Sequence, residues 1–189
     1  MQELRDRIKA EGEVIGRDIL KVDSFLNHQI DPAFILRMGR ELAGRFAAAG
    51  VTKVLTVEAS GIAVAMAVAL ALGVPVVFAK KKRAVTQVGK LYAAEVFSFT
   101  RRESVHITVE PRYVGSQDVV LIVDDFLAHG EALKGMVSIV AQSGAKLAGA
   151  GIVIEKKFQR GGEALRAAGV RIESLAVIEG MEAGIVKFG

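Results

Sequence analysis

The chain predicts an α/β fold with a mainly parallel central sheet and helices on both faces. Three observations carry that expectation. Val119 to Val123 is an unbroken aliphatic run, mostly β-branched, that stops at two carboxylates, Asp124 and Asp125. Such a run reads as a strand buried on both faces of a parallel sheet. A small-residue stretch with Gly130 follows, and then a helical pattern with Leu133, Met136, Val137, Val140 and Ala141 on one face. The same succession recurs upstream, where Lys53 to Val57 leads through Glu58-Ala59-Ser60-Gly61-Ile62 into an Ala- and Val-rich helix. Repeated strand–loop–helix units place their strands side by side with right-handed crossovers.

The elements follow in order. Glu3 to Gly12 is expected as a short amphipathic helix with Leu4 and Ile8 on one face, and Val14 to Val22 as an extended segment. Asp23 to Pro32 has no period and is expected as a loop. Asp31-Pro32 starts a helix, because proline is tolerated in a first turn. Phe34, Ile35, Met38, Leu42 and Phe46 form its apolar stripe, and Gly50 closes it. After the strand at 53–57 and its helix, Gly73-Val74-Pro75 turns the chain into a strand at Val76 to Ala79. Lys80-Lys81-Lys82-Arg83 leaves the carboxyl end of that strand. Ala84 to Ala94 is polar and aperiodic and is expected as a mobile lid. Glu95 to Phe99 and Ser104 to Val109 are expected as strands about a turn at Thr100 to Glu103. Gly144 caps the helix after the acidic pair, and Leu147 to Ile154 is another buried strand that ends at Glu155-Lys156-Lys157-Phe158. A short helix at Gly161 to Ala168, a last strand at Val170 to Ile178 and a polar, Gly-broken tail from Glu179 complete the chain.

Bulk properties narrow the class. A chain of 189 residues with 51% hydrophobic content is one domain with ample material for a core. Its apolar runs are broken by Gly and Pro, so none is expected to span a membrane. Charge from Glu3 onward predicts no signal peptide. There is no cysteine and there are three histidines, which excludes disulfides and thiolate metal sites and disfavours zinc. The expected location is the cytoplasm. A net charge of +4 suits an anionic small molecule. With no Trp and few aromatics there is no stacking platform for nucleic acid.

The loops indicate the chemistry. Backbone N–H groups of Ala128, His129, Gly130, Glu131 and Ala132 open a helix, where unpaired donors and the dipole favour an anion. Asp124 and Asp125 would repel that anion and suit hydroxyls, a metal ion or a developing positive charge. A ribose 5-phosphate meets all of these requirements. Ser60 and Gly61 open the second helix and allow close backbone approach to an anion.

These residues resemble the type I phosphoribosyltransferases. The run from Asp124 to Ala132 is similar to the phosphoribosyl pyrophosphate (PRPP) motif of that family, and most similar to the version in bacterial xanthine phosphoribosyltransferases. Common versions carry Thr or Ser where this chain has His129 and Ala132, which leaves more of the phosphate to backbone amides. Lys21 to Asp31 and Ile154 to Phe158 also resemble the xanthine enzymes. The resemblance implies a type I fold with a hood over the cleft, built from about 1–32 and 155–189. It implies Mg²⁺ carried on PRPP, pyrophosphate bound at Ser60, Gly61 and either Lys80 or Lys81, and a lid at 84–94. It implies a purine pocket with Leu20, Asn27, Lys156 and Phe158, no direct protein ligand to metal, and a homodimer. The Asn27 amide offers a donor and an acceptor to an oxopurine edge; His28 is expected to be structural. The reaction so implied is PRPP plus xanthine giving xanthosine 5'-monophosphate and pyrophosphate. The alternatives are the same transfer to guanine, hypoxanthine or adenine, a PRPP-sensing regulator, and a non-catalytic dimer module.

Overall fold

A computed structural model describes residues 1–81, 90–98 and 103–189. Its centre is a six-stranded sheet of β3 (Lys53–Val57), β4 (Val76–Ala79), β7 (Val119–Leu127), β8 (Lys146–Lys156), β9 (Ile172–Glu182) and β10 (Ile185–Phe188), in the order β10-β9-β8-β7-β3-β4. All pairs are parallel except β9–β10. The order reverses between β3 and β7, since the chain runs outward to β4 from one and to β8 from the other. Open α/β sheets bind ligands beyond the strand ends at such a switch point.

Alternation along β7 divides the interior. Leu121 and Val123 face a core layer with α1 (Gln2–Glu11), α2 (Pro32–Arg45) and α3 (Gly61–Leu72). Val120 and Ile122 face the other layer, with α4 (Glu131–Ser143) and α5 (Gly161–Ala167). All four are fully buried, each stabilising the fold by about 1.5–3 kcal/mol relative to exposure. The alternation breaks at the acidic pair. Phe126 packs with the first layer and Leu127 with the second.

The expected strands at 53–57 and 76–79 stand at those bounds, and Gly144 caps α4 with a left-handed φ of 71°. Asp31 caps α2, its Oδ1 accepting from the Phe34 amide at 3.0 Å. Three segments differ from expectation. Residues 14–22 form a hairpin of β1 (Glu13–Ile15) and β2 (Ile19–Lys21) rather than one extended run, because Gly16 turns the chain with φ 64°. Asp23–Asn27 is a single π-helical turn rather than a loop, with Phe25 and Leu26 buried beneath it. The strand expected as the last, to Ile178, runs on as β9 to Glu182, and β10 returns antiparallel through the tail.

β5 (Tyr92–Ser98) and β6 (Glu103–Val109) pair antiparallel as a separate ribbon. A bridge between Lys80 and Thr108 joins it to the end of β4. The expected lid lies outside the described residues over 84–89, and its end at 92–94 is already strand. The expected turn lies outside them at 100–102. Among the described residues, no helix is long and apolar enough to cross a membrane.

Candidate active site

A cavity of about 220 Å³ lies at the carboxyl ends of β3 and β7, roofed by the β5–β6 ribbon. Its lining is Val57, Glu58, Ser60, Lys81, Val96, Phe97, Val105, Ile107, Asp124, Asp125 and Ala132. Five of the residues singled out from the sequence, Ser60, Lys81, Asp124, Asp125 and Ala132, thus converge from four separated stretches of chain.

The carboxylates are almost fully enclosed, Asp124 being 6% and Asp125 9% exposed. Burial pushes the Asp124 carboxyl well above the usual carboxylate range. The charge of Asp125 and hydrogen bonding with its side chain add to that, while the Asp125 amide and the Lys81 charge oppose it. The Asp125 amide donates to Asp124 Oδ1 at 3.0 Å. Asp125 Oδ2 accepts from Asn27 Nδ2 at 2.6 Å, so the π-helical turn is tied directly to the central strand. A buried acid held up in this way gains most from a cationic ligand or transition state placed beside it.

Gly61 opens α3 against the same carboxylate. A Cβ there would lie 2.7 Å from Asp124 Oδ1 and 2.3 Å from Thr56 Oγ1, so no side chain fits. The preceding loop contains a cis peptide bond between Glu58 and Ala59. Glu58 Oε1 accepts from the Lys81 amide at 2.7 Å and so joins this loop to the end of β4. The two candidate lysines are differently placed. Lys80 is held by its backbone to Thr108 at 3.0 and 2.9 Å, whereas Lys81 lines the cavity. At α4, Gly130 caps the helix at φ 84°. The Lys134 amide is the first to reach an acceptor in that turn, at Gly130 O 2.8 Å. The amides of 131–133 precede the first intrahelical bond and remain available to an anion.

The residues expected at a purine lie to one side. Lys156 ends β8, its Nζ donating to Asp18 O at 2.6 Å and lying 5.2 Å from the Phe126 ring centroid. Burial lowers its pKa, against the opposing charge of Asp18. Phe158 is half-buried and Leu20 is buried, both within the core layer of α1 and α2. None of these three lines the cavity; Asn27 is the link, through Asp125. His28 is exposed and caps the π-helical turn.

Three contributors were not singled out from the sequence. Glu58 was noted only as a strand end. Thr56 is fully buried with an unpartnered Oγ1 beside Asp124, and its only sequence signal is a polar residue inside an aliphatic strand. The apolar roof of Val96 and Ile107 could be read only as strand.

Two helix starts and a pair of acids thus meet at the carboxyl ends of neighbouring parallel strands. The family described as phosphoribosyl transferase domain matches residues 30–172, and the chain belongs to that family. The protein named xanthine phosphoribosyltransferase in Heliobacterium modesticaldum is 74% identical over 188 residues, covering all of both chains. Its namesake in Moorella thermoacetica is 56% identical, covering 98% of this chain and 94% of that one. Among solved structures, adenine phosphoribosyltransferase from Rhodothermus marinus superposes with a TM-score of 0.76 at 20% identity, over 94% of this chain and 100% of that one, a likeness of fold.

Proposed function

We propose that this enzyme transfers the 5-phosphoribosyl group of PRPP to xanthine, giving xanthosine 5'-monophosphate and pyrophosphate. The observation that carries the chemistry is the cavity where Asp124 and Asp125 meet Ser60, Lys81 and the start of α4. The choice of xanthine rests on the full-length relatives of that name.

In this reading the amides from Ala128 to Ala132, His129, Gly130 and Glu131 among them, bind the 5-phosphate. Asp124 and Asp125 take the ribose hydroxyls. As the bond from C1 to pyrophosphate oxygen breaks and a ring nitrogen of the base bonds to C1, losing its proton to solvent, the two acids stabilise the positive charge on the sugar. Ser60, Gly61 and Lys81 receive the leaving pyrophosphate. Lys81 takes this role rather than Lys80, because it alone of the two lines the cavity. No nucleophile on the protein takes part. Holding both substrates in line supplies much of the rate.

Asn27 and Lys156 bond the edge of the purine, and Leu20 and Phe158 pack on its faces. The hood is drawn from residues 1–32 and 155–189, of which 172–182 and 185–188 also form the edge of the central sheet as β9 and β10. Among the described residues, no group of three or more His, Asp or Glu is placed to hold a metal ion unaided. Mg²⁺ would enter carried on PRPP, and the acids that line the cavity and could meet it are Glu58, Asp124 and Asp125. It would offset the charge of the pyrophosphate.

The test is a base panel, in which protein, Mg²⁺ and PRPP are incubated separately with xanthine, guanine, hypoxanthine, adenine, uracil and orotate while pyrophosphate release is followed. Xanthine is expected to turn over preferentially. A different preferred base would leave the PRPP site standing and overturn the pocket, and no turnover with any base would overturn the enzyme.

The protein is further proposed to act as a cytoplasmic homodimer. α3 contains no charged residue, and Met66 is 62% and Leu70 71% exposed on its outer side. Phe78, on the edge strand β4, is 42% exposed. A second copy of the chain is the cover proposed for this surface. Leu70→Asp is expected to convert the dimer to a monomer in light scattering; an unchanged mass would move the interface elsewhere.

A further inference from the structure

The helix α5 contributes none of the side chains proposed to touch substrate, yet it joins the two halves of the cleft. At its start the Gly161 amide donates to Ala128 O at 3.1 Å. A Cβ on Gly161 would lie 2.3 Å from that oxygen and 2.5 Å from the Gly130 amide nitrogen, so the helix rests directly on the backbone of the phosphate loop. Toward its end Arg166 holds Glu155 with two parallel bonds, Nη1 to Oε1 at 2.6 Å and Nη2 to Oε2 at 2.8 Å. Glu155 is 1% exposed and accepts a third bond from Ser174 Oγ. The next residue in the chain is Lys156.

Only the carboxylate of this pair is buried, the Arg166 side chain being 42% exposed, and the cost of desolvating that carboxylate offsets much of the attraction, so the pair is a poor device for stability alone. A two-pronged guanidinium–carboxylate pair does fix direction. It sets the orientation of the helix about the end of β8, and Gly161 passes that orientation to the loop.

We propose that α5 is a strut, with Gly161 and Arg166 as positioning residues that hold the phosphate loop and Lys156 at a fixed spacing. That spacing sets how far the ribose carbon lies from the attacking nitrogen of the base. The inference rests on the phosphoribosyl transfer described above.

Two variants test it, Gly161→Ala and Arg166→Lys, the second keeping a positive charge on Glu155 while losing the fork. Steady-state kinetics with PRPP and xanthine varied in turn would be read beside thermal melting. Gly161→Ala is expected to raise KM for PRPP about tenfold or more, because its added methyl displaces the loop. Arg166→Lys is expected to lower kcat about tenfold at saturation by both substrates, since each still binds but their alignment is lost. Both effects should appear at temperatures where melting shows the variants fully folded. Should Gly161→Ala fail to fold, Arg166→Lys decides alone. Parental kcat and KM in Arg166→Lys, or losses that track only the unfolded fraction, would overturn the strut. A parent protein that binds no PRPP would instead overturn the function on which it rests.

Discussion

Asp125→Ala is expected to lower PRPP-dependent turnover by about two to three orders of magnitude, the cost of removing one preorganised electrostatic group from where charge develops. The protein should remain folded, because the substitution removes a buried carboxylate, and Asn27, which donates to it, is exposed and can turn to water. Asp124 then loses two of the influences that hold its carboxyl up, the Asp125 charge and the hydrogen bond with its side chain, although burial, the largest, still raises it. A carboxyl with a lower pKa ionises earlier, so residual activity should carry its acid limb to lower pH. The measurement is kcat/KM for PRPP across pH, with circular dichroism as the control for folding. Undiminished turnover would reduce the acidic pair to a solubilising turn.

Lys156→Met is the second large effect. The variant keeps the length and apolar stem of the side chain and removes its charged donor. Loss of one charged hydrogen bond to a bound base should cost about 1.5–3 kcal/mol, or about 10- to 100-fold in kcat/KM for xanthine. KM for PRPP should change little, since Lys156 lies outside the cavity that holds the acids. Varying each substrate in turn separates the outcomes. Equal losses for both substrates would place Lys156 in the general architecture instead of the base pocket.

Much of this site could be read from the sequence because its parts sit at ends of regular elements. A β-branched run that stops at Asp124-Asp125 has one reading as a buried strand, and a glycine before a helical period marks where an anion can approach. Ser60 and Ala132 followed from the same rule, and both reach one cavity. The choice between Lys80 and Lys81 did not follow, because it depends on which lysine is bridged to Thr108 by a ribbon whose pairing no local pattern specifies. The bond from Asn27 to Asp125 was equally hidden. Its donor chemistry was evident, but its partner lies 98 residues away. The tail was misread for a local reason: Ala183 and Gly184, at φ 49° and 80°, make a hairpin turn that resembles a break. Glu155 and Arg166 looked like an ordinary charged turn and helix, since nothing in an 11-residue separation reveals that they pair.

The tie between Asn27 and Asp125 also bears on how the chain is made. Phe25 and Leu26, buried in the finished fold, are synthesised early. The strand that anchors their turn does not exist until residue 125 has been added. Contacts of such span cannot form before both residues have been synthesised, so the turn over Phe25 and Leu26 has only its neighbours in the first helices, such as Phe34, to pack on until then. A polypeptide stalled before Asp125 therefore lacks both the central strand and the tie that fixes this turn to it, and much of its apolar surface has nothing to pack on.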